Sequence, residues 1–485
     1  MIPLRLFLFF AVAASSVPTM FAQLTVTYTD GETNTNSYEL AHPLTLMVSD
    51  GAATQSGELY GTGELVKDGA GLLALTGVNT YQGPTTISAG TLVAVPGALS
   101  TDSAVTVNSW ATLRVLEDPC EPESYVEIGS LAGGGTVELD DLAFLSVGTD
   151  GTDTTFSGSI ITVGELGAFE KTGGGTLTLT GASTISGILS LCGCTPDNAL
   201  KIDGGSVSAT FTYSSGGALS VTGGGQLATD ALITFGAVEI TGAGSSAEAD
   251  LVIVGDAFVE GGSLHVGAGA ELNAEEIEVA GTGVLNVDGT ISCDSFTVVS
   301  WGGEISGNGS VGDLLIDEGG VISPGNSTGT LTAENVWWES GGAYVWEIND
   351  ATGTSGGDAG WDWLNINGGL SLIGIDGEYP FLITVRSLDG DTEGDAANFD
   401  PSQSYSWIIA TAQCGIIGFS PERFVIEASG FSNAPDWRRF SITSDGANFI
   451  LNYSPVPEPA TWGVMIALGL LGVAALRRRR LVRVS

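Results

Sequence analysis

Basic residues are scarce in this chain of 485 residues, which has 14 Lys and Arg against 56 Asp and Glu and a formal net charge of -42. The segment 202–385 contains no Lys or Arg. A nucleic-acid-binding protein needs a basic surface that neutralises phosphates, so this class is excluded. Charged residues make up only 14% of the chain and hydrophobic residues 43%. This composition is too apolar for a disordered acidic segment, so the chain must bury a core.

Histidine is also scarce. The chain has two, His42 and His265, and neither lies near a nucleophilic serine motif or in a metal-ligand spacing. His265 lies between Leu264 and Val266 in a strand-like segment, and strand alternation predicts that it points outward. A polysaccharide lyase needs clustered acids and a basic proton acceptor, and the coil-like sequence from residue 202 onward offers only His265. We therefore expect no enzymatic activity.

Cysteine is present in an odd number, which leaves at least one thiol unpaired unless it bonds another chain. Only one pair is close in sequence, with a single glycine between the two, and this spacing poorly suits disulfide geometry. We expect structural thiols, and their pairing stays open. The five are Cys120, Cys192, Cys194, Cys293 and Cys414.

The N-terminus has the pattern of a secretory signal peptide. Arg5 precedes an apolar run over residues 6–14, and small or polar residues follow up to Ala22 and Gln23. The run is too short for a permanent membrane span. We assign residues 1–23 to this signal.

The C-terminal segment 456–485 combines a short motif, an apolar stretch over residues 460–476 and a basic end. Seventeen mostly apolar residues are at the short limit of a transmembrane helix, and the arginines hold this end in the cytoplasm. The motif and basic residues are Val456, Pro457, Glu458, Pro459, Arg477, Arg478, Arg479 and Arg480.

This tail resembles the PEP-CTERM sorting signal of Gram-negative bacteria. The resemblance implies recognition by an exosortase, which removes the tail after the secretion machinery has exported the chain. It implies transient anchoring in the inner membrane, followed by release to the cell surface or the extracellular matrix.

The middle of the chain contains an internal repeat. Gly63–Gly83 aligns without gaps to Gly167–Gly187 at an offset of 104 residues, with ten of 21 positions identical. Alternation over Thr176–Thr180 predicts a short strand, and glycines bracket it as turns. Short strands of this kind suit a series of sandwiches or a parallel β-solenoid. Outward Thr, Ser and Asn form stacked hydrogen-bonded ladders and favour the solenoid.

The aligned segments resemble the autotransporter-associated β-strand repeat, whose Leu-x-Lys-x-Gly-x-Gly-x-Leu-x-Leu-x-Gly pattern is met at Leu65–Gly77. In the second copy Phe169 replaces the first Leu, and Ser183 and Ile185 replace the later Asn and Tyr. The resemblance implies an all-β chain with a right-handed parallel β-helix over residues 24–374, of about 17 coils and ~80 Å. We read residues 375–455 as a small antiparallel cap. An autotransporter ends in a membrane β-barrel, whereas this chain ends in one apolar segment, so we expect the sorting tail to replace self-translocation.

An acidic loop near the start of the cap is a candidate calcium site. Acids at its positions 1, 3, 5, 7 and 12 and Gly394 at the sixth match an EF-hand loop, although no helices flank it. We expect no other cofactor. The candidate ligands are Asp389, Asp391, Glu393, Asp395 and Asp400.

Five of the ten tryptophans lie within residues 337–363. They are expected to pack between the last coils and the cap, with sugar stacking as the alternative. The leading functional prediction is a surface or matrix protein of structural or adhesive role. The alternative is a β-helix that binds or processes carbohydrate, which a concave acidic or aromatic groove would favour.

Overall fold

The computed structural model describes residues 23–117, 125–164, 166–193, 197–256, 261–433 and 436–455. These residues form a right-handed parallel β-solenoid, which confirms the expected fold class. The described ranges contain no α-helix, only two 3-10 turns at Pro421–Arg423 and Trp437–Arg439. None of them forms a helix with the length and apolar character of a membrane span.

The solenoid has three faces, and most of its turns contribute a strand to each of them. Face 1 is one continuous parallel ladder. Its strands are Leu24–Tyr28, Leu44–Val48, Leu65–Asp68, Thr85–Ile87, Ala104–Val107, Ser130–Gly133, Thr154–Phe156, Thr176–Leu179, Ala199–Asp203, Ala218–Thr222, Ala237–Ile240, Ser263–Val266, Val284–Val287, Glu304–Gly307, Val321–Pro324, Ala343–Ile348, Phe381–Asp389 and Phe424–Glu427.

Face 2 follows face 1 along the chain in every turn. Its separate strands are Thr33–Asn34, Ala52–Gln55, Leu72–Leu75, Gly90–Ala94, Ala111–Val115, Thr136–Asp140, Ser159–Val163, Thr290–Cys293, Ser310–Val311, Thr330–Ala333, Trp363–Ile366 and Tyr405–Ala412. Face 3 lies between face 2 and the next strand of face 1. Its separate strands are Tyr38–Leu40, Leu59–Gly61, Val126–Ile128, Phe144–Val147, Ala168–Lys171, Thr297–Val299, Leu314–Ile316, Val336–Trp338, Gly369–Ser371 and Gly415–Ile417.

In the middle turns a single long strand serves faces 2 and 3 together. In the first of these strands the register shifts between Ile185 and Ile188, so the strand bends around the corner without leaving the sheet. The long strands are Ala182–Leu191, Ser206–Ser214, Gln226–Thr234, Ser246–Val254 and Glu271–Val279.

Alternation explains why these segments form rungs. In the strand Thr176–Leu179, Leu177 and Leu179 are buried, whereas Thr176 and Thr178 face outward. Equivalent leucines, valines and isoleucines of successive turns stack into one continuous core. Glycines form the corners, where the turns approach closely: a Cβ on Gly181 would collide with the carbonyl oxygen of Gly158 in the preceding turn.

The C-terminal end combines parallel and antiparallel pairing. The parallel ladder of face 1 continues past residue 374 through Phe381–Asp389 and Phe424–Glu427. Asn448–Tyr453 runs antiparallel to Tyr405–Ala412 and to Phe440–Ser444. This hairpin covers the last coils of face 2, which is the role expected of a cap. The remaining short strands are Thr354–Ser355, Gly360–Trp361 and Thr392–Glu393.

Candidate functional site

Lys67, the lysine of the first repeat copy, closes a corner of the solenoid. Lys67 stands near the end of the strand Leu65–Asp68 and is only 1% exposed. Its Nζ donates to the carbonyl oxygens of Asp68, Gly69 and Ala89 at 3.1, 2.7 and 2.9 Å. Burial lowers the pKa of this ammonium to about 8. The side chain is thus a clamp that satisfies three carbonyls of two successive turns.

Lys171 plays the same part in the second copy and has one additional partner. Its Nζ donates to the carbonyl oxygens of Thr172 and Gly174 at 2.7 and 3.1 Å and to Oδ1 of Asn198 at 3.1 Å. Asn198 is fully buried and belongs to the next turn. Burial lowers the pKa of Lys171, and the negative charges of nearby acids oppose this shift. Both lysines therefore hold the fold together and are out of reach of a substrate.

His265 lies on the outer surface of face 1, as predicted, between the buried Leu264 and Val266. Its Nε2 is 3.4 Å from Oδ2 of Asp288. Burial alone would raise the pKa of Asp288, but hydrogen bonds from the Asn308 N–H and other donors outweigh it and lower that pKa. The result is one paired histidine on a polar surface, which resembles neither a nucleophile-activating pair nor a metal centre.

The acidic loop of the cap is a short hairpin followed by an irregular segment. Asp389 pairs with Thr392 across a tight turn, and Leu388 pairs with Glu393. The Asp400 carboxylate accepts hydrogen bonds from its own loop, at the N–H and Oγ of Ser402. In the part of the chain that the structure describes, no group of three or more acidic, His or Cys side chains is placed to hold a metal ion. Calcium binding by Asp389, Asp391, Glu393, Asp395 and Asp400 stays a prediction.

Four of the five tryptophans of residues 337–363 pack between the last coils and the cap, as expected, whereas Trp337 faces outward and lies edge-on against Phe296. Trp338 is fully buried and stacks on Phe381 with ring centroids 4.5 Å apart. Trp346 is also fully buried and lies against Trp407 of the cap. Nε1 of Trp361 donates to the carbonyl oxygen of Ile408 at 2.9 Å. These indoles join the last coils to the cap.

Two other tryptophans stand out on the surface, and the sequence reasoning missed them. Trp110 is 97% exposed with φ 71°, and Trp301 is 61% exposed with φ 51°. The left-handed conformation costs a residue other than glycine about 1 kcal/mol or more. A signal was available: each tryptophan follows a serine in a turn, with glycine or alanine after it, rather than in an alternating strand. Trp110 borders a shallow groove of about 490 Å³ at the corner between faces 1 and 2.

Several predicted features lie outside the described residues. These are the signal peptide up to residue 22, the apolar stretch 460–476, two cysteines and the sorting motif with its basic end. Among the described cysteines, Cys192, Cys293 and Cys414 form no disulfide. The undescribed members are Cys120, Cys194, Val456, Pro457, Glu458, Pro459, Arg477, Arg478, Arg479 and Arg480.

Comparison with protein-family models supports both resemblances. The model of the Passenger-associated-transport-repeat matches residues 65–94 and 169–208, which contain the two lysine corners. The model of the PEP-CTERM protein-sorting motif matches residues 455–480. The chain carries both elements. Repeat and sorting motif thus occupy separate parts of one molecule, the first in the solenoid and the second after it.

A curated relative adds a further likeness. The chain is 33% identical over 167 residues to the "Adhesin BmaC autotransporter" of Brucella suis biovar 1 (strain 1330). The aligned region is 34% of this chain and spans 5% of the length of that protein. The likeness therefore concerns a stretch of passenger-type β-helix rather than the whole of the relative.

Proposed function

We propose that this chain is an exported, non-enzymatic β-helical protein of the cell surface or extracellular matrix, with a structural and adhesive role. An exosortase acting on the tail would be its processing partner in a Gram-negative bacterium. The observation that carries the proposal is the combination of a passenger-type solenoid with a match to the sorting motif at residues 455–480. The likeness to a protein named as an adhesin supports the adhesive part.

The outer surface of the solenoid suits a role outside the cell. Thr112, Thr136 and Ser159 stand side by side on successive turns of face 2 and form a hydroxyl-bearing ladder. The basic residues on this surface are held by neighbouring acids: Arg114 pairs with Asp140 at 2.8 Å, and Lys201 pairs with Asp203 at 3.0 Å. Such a surface remains hydrated and presents the same polar groups again on successive turns, which suits contact with polymers or other cells.

A non-enzymatic role agrees with how the ionisable groups are used. Lys67 and Lys171 are clamped on main-chain carbonyls. His265 is paired with a single carboxylate. The buried Asp362 accepts hydrogen bonds from the N–H groups of Gly329 and Glu347, and burial raises its pKa well above the usual range. We expect no increase in reducing ends when the exported protein is incubated with polysaccharides.

Replacement of the sorting motif tests the proposal. Changing Pro457, Glu458 and Pro459 together to alanine should leave the protein in the inner-membrane fraction, because the exosortase no longer recognises the tail. The measurement is antibody labelling of intact cells, with immunoblots of the membrane fractions. Undiminished surface labelling would contradict the sorting step.

A matched control changes three residues of the solenoid instead. Thr35, Asn36 and Ser37 are consecutive and exposed, and only the main chain of Asn36 takes part in the hydrogen bonds found there. Their triple alanine variant should reach the surface as the unchanged protein does.

A further inference from the structure

Trp110 is presented to solvent in a way that packing does not explain. It occupies the corner between the strands Ala104–Val107 and Ala111–Val115, and 97% of it is exposed. Its main chain adopts a positive φ of 71°, a conformation that favours glycine or asparagine. Apart from Trp301, the other described indole side chains are buried or half-buried. An exposed indole held in an unfavourable backbone conformation suggests a contact outside the chain.

The groove beside Trp110 has a main-chain floor and hydroxyl-bearing walls. Glycines form the floor because the turns approach too closely for side chains: a Cβ on Gly158 would collide with the carbonyl oxygen of Gly135. Ser109, Ser157 and Ser159 line the walls. The groove therefore offers peptide groups and hydroxyls next to an aromatic plane.

The groove continues along the axis of the solenoid. A second depression, of about 310 Å³, shares Ala182 with the first. A third, of about 260 Å³, shares Ala182, Ser206 and Gln226 with the second. Together they form an extended channel across successive turns, which is rich in glycine in the first two depressions and is lined by side chains such as Thr184 and Ser208 in the third. Glu248 at the far end is the one charged residue that lines it.

We propose that this channel binds a neutral, extended oligosaccharide, with Trp110 stacked on one sugar ring. Indole faces stack on the apolar faces of pyranose rings, and serine hydroxyls and peptide groups bond sugar hydroxyls. The rungs repeat every ~4.8 Å, a spacing close to the length of one pyranose residue, so successive turns meet successive sugars. An acidic glycan is disfavoured because the channel has no cation and the chain carries a net charge of -42.

This inference rests on the proposed function only in that the ligand is outside the cell. The binding itself is a property of Trp110 and its groove. Surface labelling of cells tests whether the protein is sorted. Calorimetry on the purified protein tests whether the groove binds a sugar. A failure of one proposal can therefore be told from a failure of the other.

The experiment compares two tryptophans in the exported protein. Titration calorimetry with cellohexaose, mannohexaose and maltohexaose should give binding to the unchanged protein with at least one of these neutral probes. Trp110→Asn should weaken that binding at least tenfold. Trp301→Asn is the matched control, because Trp301 is also exposed with a positive φ but lies outside the groove; its affinity should be unchanged.

Two controls keep the result decisive. Asparagine tolerates the left-handed conformation, so thermal unfolding of Trp110→Asn should occur at or above the temperature of the unchanged protein. A hexamer of galacturonate, an acidic probe, should bind at least tenfold more weakly than the best neutral one. The proposal is overturned if no neutral hexasaccharide binds, if Trp110→Asn binds as well as the unchanged protein, or if the acidic probe binds best.

Discussion

The two copies of the repeat have related sequences but lie at different corners of the solenoid. In the first copy the lysine ends a strand of face 1, and the next strand, Leu72–Leu75, belongs to face 2. In the second copy the lysine ends the strand Ala168–Lys171 of face 3, and Thr176–Leu179 belongs to face 1. The repeat therefore encodes a strand, a lysine-clamped corner and a second strand. It does not encode a particular face.

The two copies differ more in the segment that follows the second strand of the repeat. In the first copy residues 77–83 form no strand. Asn79 holds them by accepting from the Leu59 N–H at 2.8 Å and donating to the Ala98 carbonyl at 2.6 Å. In the second copy Ser183 and Ile185 replace the Asn and Tyr, and the segment becomes the long strand Ala182–Leu191. A buried amide can replace strand pairing at this point, because it satisfies the same main-chain groups.

Of the substitutions that test this comparison, removal of Lys67 or Lys171 should lower the free energy of unfolding the most. Lys67→Met and Lys171→Met each leave several part-buried carbonyls without a donor, and we expect about 3 kcal/mol of destabilisation for either. Lys171→Met should cost more, because it also strands the Oδ1 of the buried Asn198. Denaturant unfolding, followed by circular dichroism, measures the difference.

Lys201→Met is the control for these two variants. Lys201 is half-exposed and pairs with Asp203 at the surface, so its loss should cost less than about 1 kcal/mol. If all three variants unfold at the same denaturant concentration as the unchanged protein, the clamps do not stabilise the corners.

Substitutions at Asn79 and Ser183 sharpen the contrast between the copies. Asn79→Ser places the residue of the second copy in the first and should cost about 2 kcal/mol, because the Leu59 N–H and Ala98 carbonyl lose their partner. Ser183→Ala should cost about 1 kcal/mol, since Ser183 Oγ accepts only the Ile160 N–H there. Hydrogen exchange at the Leu59 amide measures the effect of Asn79→Ser, and exchange at the Ile160 amide measures the effect of Ser183→Ala. If the Leu59 amide exchanges as slowly in Asn79→Ser as in the unchanged protein, Asn79 does not hold this segment.

The free energy of unfolding should increase at alkaline pH because of Lys67 in the first corner. Burial holds the pKa of Lys67 at about 8, below its value of 10.5 in an unfolded chain. Between these values the unfolded chain binds a proton that the folded chain has released, so stability rises with pH. We expect Lys67 to contribute an increase of about 1–2 kcal/mol in the free energy of unfolding between pH 7.5 and 9.5. Lys67→Met should lose this contribution and keep only the part due to Lys171, whose pKa is also lowered. A decrease with pH in that window, or an equal increase in Lys67→Met, would contradict this assignment.

The sequence predicted the corner unit because its glycines, alternating leucines and lysine are local requirements of a strand and a tight turn. It did not predict which face each copy occupies, since this depends on the accumulated lengths of all preceding turns. Four of the five tryptophans of residues 337–363 were correctly expected to pack between the last coils and the cap, because strand aromatics usually meet a core; Trp337 instead faces outward on face 3. Trp110 and its groove were missed, because the groove arises where glycines of turns distant in sequence stack beside one another.

Changes at the acidic loop of the cap should have the smallest effect on stability. Removal of calcium with EDTA should change the melting temperature by less than about 2 °C, because a cation bound by a few exposed acids stabilises a large core only weakly. Asp391→Asn, Glu393→Gln and Asp395→Asn together should give the same melting curve. A large calcium-dependent shift that the triple variant abolishes would establish the site instead.

Small-angle X-ray scattering of the exported protein tests the central claim, that both copies are corners of one continuous solenoid. The 18 stacked strands of face 1 lie ~4.8 Å apart, so the scattering should give a rod with one constant cross-section and a longest dimension of about 80–90 Å. Two compact lobes joined by a thin connection, or a particle of nearly equal dimensions, would contradict it.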